Sequence, residues 1–188
     1  MVAPEPQLDD RLSHDQLLRL PRLGKSEYRD GKIIMTPAGG EHGGISLTLA
    51  SLLLAYVKPR KLGMAMESST GFGLPNGDVL APDASFISRE RLTGRGGPPK
   101  KYFDGAPDLA IEVKSPNDRW PALESKMHLY FAHGCRLAWI VDPSDQTVRV
   151  YRSPDAYTVA TAGQSLDGGD VLPGFTVEVD EIFDLPVF

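Results

Sequence analysis

The chain is poor in the features that would tie it to an oxidising compartment, a membrane or a nucleic-acid coat. It has one cysteine, Cys135, in 188 residues, which rules out an intramolecular disulfide. The segment Met1 to Asp10 carries prolines and acids and lacks the apolar stretch of a secretion signal. A cytoplasmic location is therefore expected. The most apolar run, Ile45 to Val57, is too short to span a bilayer and is broken by Ser46, Thr48 and Ser51, so no membrane anchor is expected. Net charge is −5, the wrong sign for binding nucleic acid over a broad surface, because that affinity comes from lysines and arginines neutralising phosphates. The glycine stretch Gly39 to Gly44 lacks the Gly-Lys-Ser/Thr ending of a phosphate loop. His128 and His133 stand five apart, off the spacing of a helical zinc pair.

What is present is organised around Asp108-Leu109-Ala110-Ile111-Glu112-Val113-Lys114. This run reads as a strand buried on both faces until it delivers an acid and an amine at its end. Strand side chains alternate, so Glu112 and Lys114 leave on one face while Val113 points to the core. Ser115-Pro116-Asn117-Asp118 stops the strand. A second apolar run carries Asp83 in Pro82-Asp83-Ala84-Ser85-Phe86-Ile87. Charges in such positions demand partners, since burying them bare costs several kcal/mol in order of magnitude.

The rest reads as one domain over 1–188, with 1–12 flexible. Ser13 and Gln16 form the signature of a capped helix running to Leu20, and Asp30-Gly31 marks a hairpin turn with Glu27 on its first arm. Ala38 to Gly44 is expected as a flexible lead-in to a helix over Ile45 to Val57, with His42 beside it. Strands are expected at 63–67, 71–74 and 79–87, the last carrying Asp83 to its end, followed by an irregular stretch over 88–107. Within that stretch Arg89, Arg91, Arg95, Lys100 and Lys101 make a local basic cluster. Residues 119–133 show helical periodicity through Trp120, Leu123, Met127, Tyr130 and Phe131, which leaves Lys126 on the flank of the apolar face. With Leu137 to Val141 as the next buried strand, this gives a βαβ unit. Cys135, before that strand, reads as inert packing. The C-terminal third is expected to be strand-rich edge structure.

Converging carboxylates repel one another and call for a cation. Hard oxygens suit magnesium or manganese, which would take Asp83, Glu112 and the Val113 carbonyl as ligands and keep several waters. Lys114 would then hold a phosphate or orient a water.

Pro82-Asp83 followed by Glu112-Val113-Lys114 resembles the signature of the PD-(D/E)XK nucleases. The wider pattern resembles the Uma-type family of restriction endonucleases over nearly the whole chain. It includes Glu27 before Asp30-Gly31, Met35-Thr36-Pro37 leading to His42, Pro107-Asp108-Leu109, Ser115-Pro116, Lys126, Tyr130, Gly134 and Trp139 to Pro143. The resemblance implies a restriction-endonuclease-like α/β (α+β) fold, a mixed sheet flanked by helices with additional antiparallel strands. It also implies a magnesium-dependent phosphodiesterase site, with Asp83 and Glu112 on the metal and Glu27 as an auxiliary acid. In many members an apolar residue stands at the position of Lys114 and a helix lysine matching Lys126 takes its role; this chain has both. Rigid attachment to the strand that carries Glu112 favours Lys114 as the principal amine. DNA is the expected substrate and a homodimer the expected state, because cutting both strands needs two sites. Two rivals remain open at this level: a non-catalytic nucleic-acid-binding or protein-interaction module on the same fold, and a hydrolase of a smaller phosphoester.

Overall fold

The computed structural model describes residues 11–20, 25–35, 39–94 and 96–186. Residues 1–10 of the start expected to be flexible over 1–12, Thr36-Pro37 of the family pattern and Arg95 of the basic cluster lie outside the described residues.

Helix α1 spans His14–Arg19, and its Ser13–Gln16 capping box forms as expected. Strands β1 (Ser26–Arg29) and β2 (Lys32–Met35) make a hairpin in which Asp30 and Gly31 both take positive φ, the conformation the Asp-Gly pair supplies. Helix α2 covers Gly40–Arg60 and so begins well before the expected Ile45. The glycines cost helix propensity, but tertiary packing offsets it: at Gly44 an added Cβ would come 3.1 Å from Leu185. His42 is therefore held in the first turn of a helix rather than in a loop.

Strand β3 is Gly63–Glu67, and the short strands β4 (Phe72–Gly73) and β5 (Val79–Leu80) flank the expected turn. Strand β6 is Ala84–Ser88. The single strand expected over 79–87 is thus broken at Ala81-Pro82-Asp83, and its halves belong to different sheets. Proline cannot donate to a ladder, and the Ala81 N–H is turned 3.0 Å from the Glu27 carboxylate instead. Asp83 consequently stands at the start of β6, not at a strand's end. The stretch expected to be irregular contains helix α3 (Arg89–Thr93) and strand β7 (Phe103–Asp104).

Then follow β8 (Leu109–Val113), α4 (Trp120–Ala132), β9 (Leu137–Asp142), β10 (Thr147–Ser153), β11 (Ala156–Ala160), β12 (Ser165–Asp167), β13 (Thr176–Glu178) and α5 (Val179–Phe183). The main sheet runs β11-β10-β9-β8-β6-β3, with β8 and β9 parallel across α4 and the other neighbours antiparallel. A second sheet runs β2-β1-β5-β4-β7, and β12 pairs with β13.

Alternation along the central strands feeds two cores. Leu109, Ile111 and Val113 join Leu137, Trp139 and Val141 against Leu49 and Leu53 of α2. Ala110, Ala138 and Ile140 meet Leu123, Met127 and Tyr130 of α4 on the other side. Glu112 follows the parity of Ala110 and so emerges under α4 at the end of the sheet. Among the described residues, no helix is long and apolar enough to cross a membrane.

Candidate active site

Three elements deliver one carboxylate each to the same cleft. Glu27 comes from β1, Asp83 from the residue before β6, and Glu112 from β8; all three are buried. The antiparallel register pairs Ala84 with Ile111, so one step further sets Asp83 against Glu112. The cleft, of about 140 Å³, is lined by these acids with Lys25, His42 and Lys126.

Lys126 is the centre of the charge network. Its Nζ lies 2.7 Å from Glu112 Oε1 and 2.9 Å from Glu27 Oε1, and the residue is buried. The flank of α4 on which it sits is turned inward because both acids wait there. Burial opposes its charge, but the two carboxylates prevail and hold the ammonium protonated far into the alkaline range. Tyr130, one turn further along α4, donates its hydroxyl to the same Glu112 oxygen. The acids diverge in acidity: burial, with the charges of Asp83 and Glu27, raises the Glu112 pKa despite Lys126. Burial also acts to raise Glu27, but Lys126, the Ala81 N–H and Arg29 outweigh it and lower its pKa.

Asp83 is held from three sides. Its Oδ2 accepts the Val113 N–H at 2.8 Å, Lys25 Nζ lies 2.6 Å from Oδ1, and His42 Nε2 lies 3.3 Å from Oδ2. Burial would raise its pKa, yet the contacts with His42 and Lys25 bring it down to about 2. His42 shifts the opposite way: burial lowers its pKa, but Asp83 and the Val113 carbonyl raise it overall.

Lys114, expected to work beside Glu112, stands against Asp142 instead. Its amine lies 3.1 Å from Asp142 Oδ2 and sits over the Trp120 ring. The strand β8 ends at Val113, the Lys114 N–H bonds to the Val141 carbonyl at 2.8 Å, and Asp142 at the end of β9 captures the amine. Same-face parity therefore did not translate into a shared pocket. One residue of the cleft was not singled out from sequence: Lys25, just before β1 and two before Glu27. Tyr130 was named as part of an apolar stripe and as a landmark of the family pattern, without a role at the site.

Among the described residues no group of three His, Cys, Asp or Glu side chains forms a ready metal cage. The available donors are two carboxylates and the Val113 carbonyl, all hard oxygens. That set fits magnesium, which keeps waters and completes its shell with substrate oxygens, and does not fit a closed structural zinc site.

A mixed sheet with a parallel βαβ unit at its centre, and acids gathered at the end of its middle strands, defines the restriction-endonuclease-like fold. The chain belongs to the Uma2 family, described as "Putative restriction endonuclease", whose pattern matches residues 14–180. A solved structure from Anabaena variabilis ATCC 29413, titled a "putative nuclease belonging to DUF820", superimposes with a TM-score of 0.79 at 26% identity. The match covers 92% of this chain and 97% of that one. No curated protein matches the chain.

Proposed function

We propose that the protein is a metal-dependent endonuclease that hydrolyses phosphodiester bonds in DNA. The observation that carries this reading is a lysine buried between two acids, Glu27 and Glu112, in a cleft that also holds Asp83. A merely structural ion pair needs one acid and one base, whereas this arrangement assembles a graded set of charges at an opening large enough to admit a phosphate.

Asp83, Glu112 and the Val113 carbonyl would hold magnesium or manganese. The ion would supply the positive charge that makes a water more acidic and offsets charge developing on the phosphate. Lys126, kept charged by its two carboxylates, faces the same phosphate and stabilises that charge. Glu27 acts through Lys126, fixing the amine and its protonation. Tyr130 fixes the orientation of Glu112. Lys25 and His42 stand on Asp83 and screen its charge. Lys114 is engaged by Asp142 and does not line the cleft, which supports Lys126 as the main amine. The family description supports DNA as substrate, and a two-fold pair of such sites would cut both strands.

A second reading, a non-catalytic nucleic-acid-binding or protein-interaction module, draws on one observation. Lys25, Lys126, His42 and Arg29 of the cleft each already face a carboxylate. Calorimetric titration of magnesium and manganese, followed by incubation with mixed DNA substrates, separates the two. The nuclease reading expects metal binding and cleavage that both disappear in Asp83→Asn. Metal-independent DNA binding without cleavage, unchanged in that variant, would favour the module.

A further inference from the structure

Helix α2 presents a face to solvent that is unlike the surface of an ordinary helix. Residues 43–57 carry no charged side chain at all. The core-facing positions Ile45, Leu49, Leu53 and Val57 account for one side. The outward positions are Gly43, Leu47, Ser51, Leu54 and Ala55, all exposed, with Leu47 at 68% and Leu54 at 48%. Exposed helix faces are normally charged or strongly polar, and a helix apolar on all sides is normally covered. Leu47, Ser51 and Leu54 follow the three-four spacing of a packing stripe.

We propose that this face of α2 docks against the same face of a second copy of the chain, with the two helices antiparallel and crossing near Ser51. The stripe is self-complementary in that orientation. Laying Leu47 of one copy opposite the partner's Leu54 also brings Glu41 of one copy near the basic end of the other, at Lys58 and Lys61, which stand on the same side of the helix as Leu47 and Leu54. All charge on α2 lies at its ends, acid at one and base at the other, which an antiparallel pair matches twice and a parallel pair opposes. The helix dipoles add in the same sense. Ser51 at the crossing is small enough to let the backbones approach to the 8–10 Å of packed helices.

Other occupants fit less well. A nucleic acid would need cations along the face, and the middle of the helix has none. A bilayer surface is bound by helices with a basic polar face, whereas the opposite side of α2 is the protein core. One helix face is smaller than the roughly 800 Å² per partner of a standard interface, so the dimer forms over the micromolar range rather than permanently. The interface also lies close to the cleft in sequence and space, because His42 in the first turn of α2 touches Asp83. The inference does not rest on the nuclease reading, since the oligomeric state is measured without DNA or metal.

The test is sedimentation equilibrium of the full chain across the micromolar range. A concentration-dependent dimer is expected, reduced at least tenfold in affinity in Leu47→Glu with unchanged circular dichroism. Glu41→Arg and Lys58→Glu should each weaken the dimer several-fold, and the double variant should restore it, which loss of fold would not do. Ser51→Cys, exposed to dissolved oxygen with a copper catalyst as the oxidant, should form a disulfide-linked dimer, and a variant that stays reduced would count against the crossing at Ser51. A wild-type chain that stays monomeric throughout would overturn the proposal, as would a dimer indifferent to Leu47→Glu, a charge swap that fails to restore pairing, or a monomer that instead co-floats with phosphatidylcholine or phosphatidylserine vesicles.

Discussion

The two ends of β8 both carry buried acid, and they are built differently. At the start, Asp108 accepts the Ser88 N–H at 2.8 Å and is approached by Arg91 at 3.6 Å and Arg136 at 3.5 Å. One carboxylate thus meets two guanidinium groups that reach in from the surface, and it ties β6, α3 and β9 together. At the other end three carboxylates meet two lysines, an arginine and a histidine around an opening. Excess cation around a single acid describes a rivet. Several acids that share their cations, as Glu27 and Glu112 share Lys126, with a cleft beside them, describe a place that we propose for a further cation and an anionic substrate.

That comparison predicts different responses to substitution. The largest effect is expected for Lys126→Met, which leaves Glu27 and Glu112 facing each other without the amine. Removing one partner of a buried ionic group costs about 3–5 kcal/mol, and cleavage should be lost as well. Urea denaturation and a DNA cleavage assay on the same preparation check both. Asp108→Ala should cost about 1–3 kcal/mol, because it strands the Ser88 N–H and two arginines, while activity per folded molecule stays near wild type. Equal losses of activity in both variants would erase the distinction between the two ends.

Acid titration gives a third test at the cleft. The Asp83 pKa is lowered from the model-compound value of 3.8 to about 2, so its stabilising contribution is complete above pH 4 and is lost as pH falls through 2. The amount is on the order of 2 kcal/mol. Asp83→Asn should flatten this part of the stability profile, as measured by chemical denaturation between pH 2 and 5. The smallest effect is expected for Lys114→Met: Asp142 is buried but keeps its bonds from the Ser144 N–H and hydroxyl when the amine is lost, so the cost is about 1 kcal/mol, and cleavage should remain close to normal. A dead Lys114→Met beside an active Lys126→Met would reverse the assignment of the amine.

These tests probe the part of the molecule least visible in the sequence. Local signals were legible: the Ser13–Gln16 box, the Asp30-Gly31 hairpin, and the buried β8–α4–β9 unit each follow from spacing within a few residues. The parity that put Val113 in the core and Glu112 opposite also held. What failed depended on partners far along the chain. The run 79–87 had strand composition throughout, but Pro82 and the demand of Glu27 for the Ala81 N–H split it between two sheets. Helix α2 starts in glycines because contacts such as that of Gly44 with Leu185 offset their propensity. Lys126 was placed on a flank by helical periodicity, and only the arrival of Glu27 and Glu112 makes that flank an interior. Lys25 had no local signal beyond its spacing from Glu27.

The central claim is that Asp83 and Glu112 form a divalent-cation site, and calorimetric titration of manganese into wild type and Asp83→Asn tests it most directly. The amide keeps the shape of the side chain while removing the charge that a cation needs. The account predicts one saturable site in the wild type and none in Asp83→Asn, with both proteins folded by circular dichroism. Equal affinity in the two would contradict it.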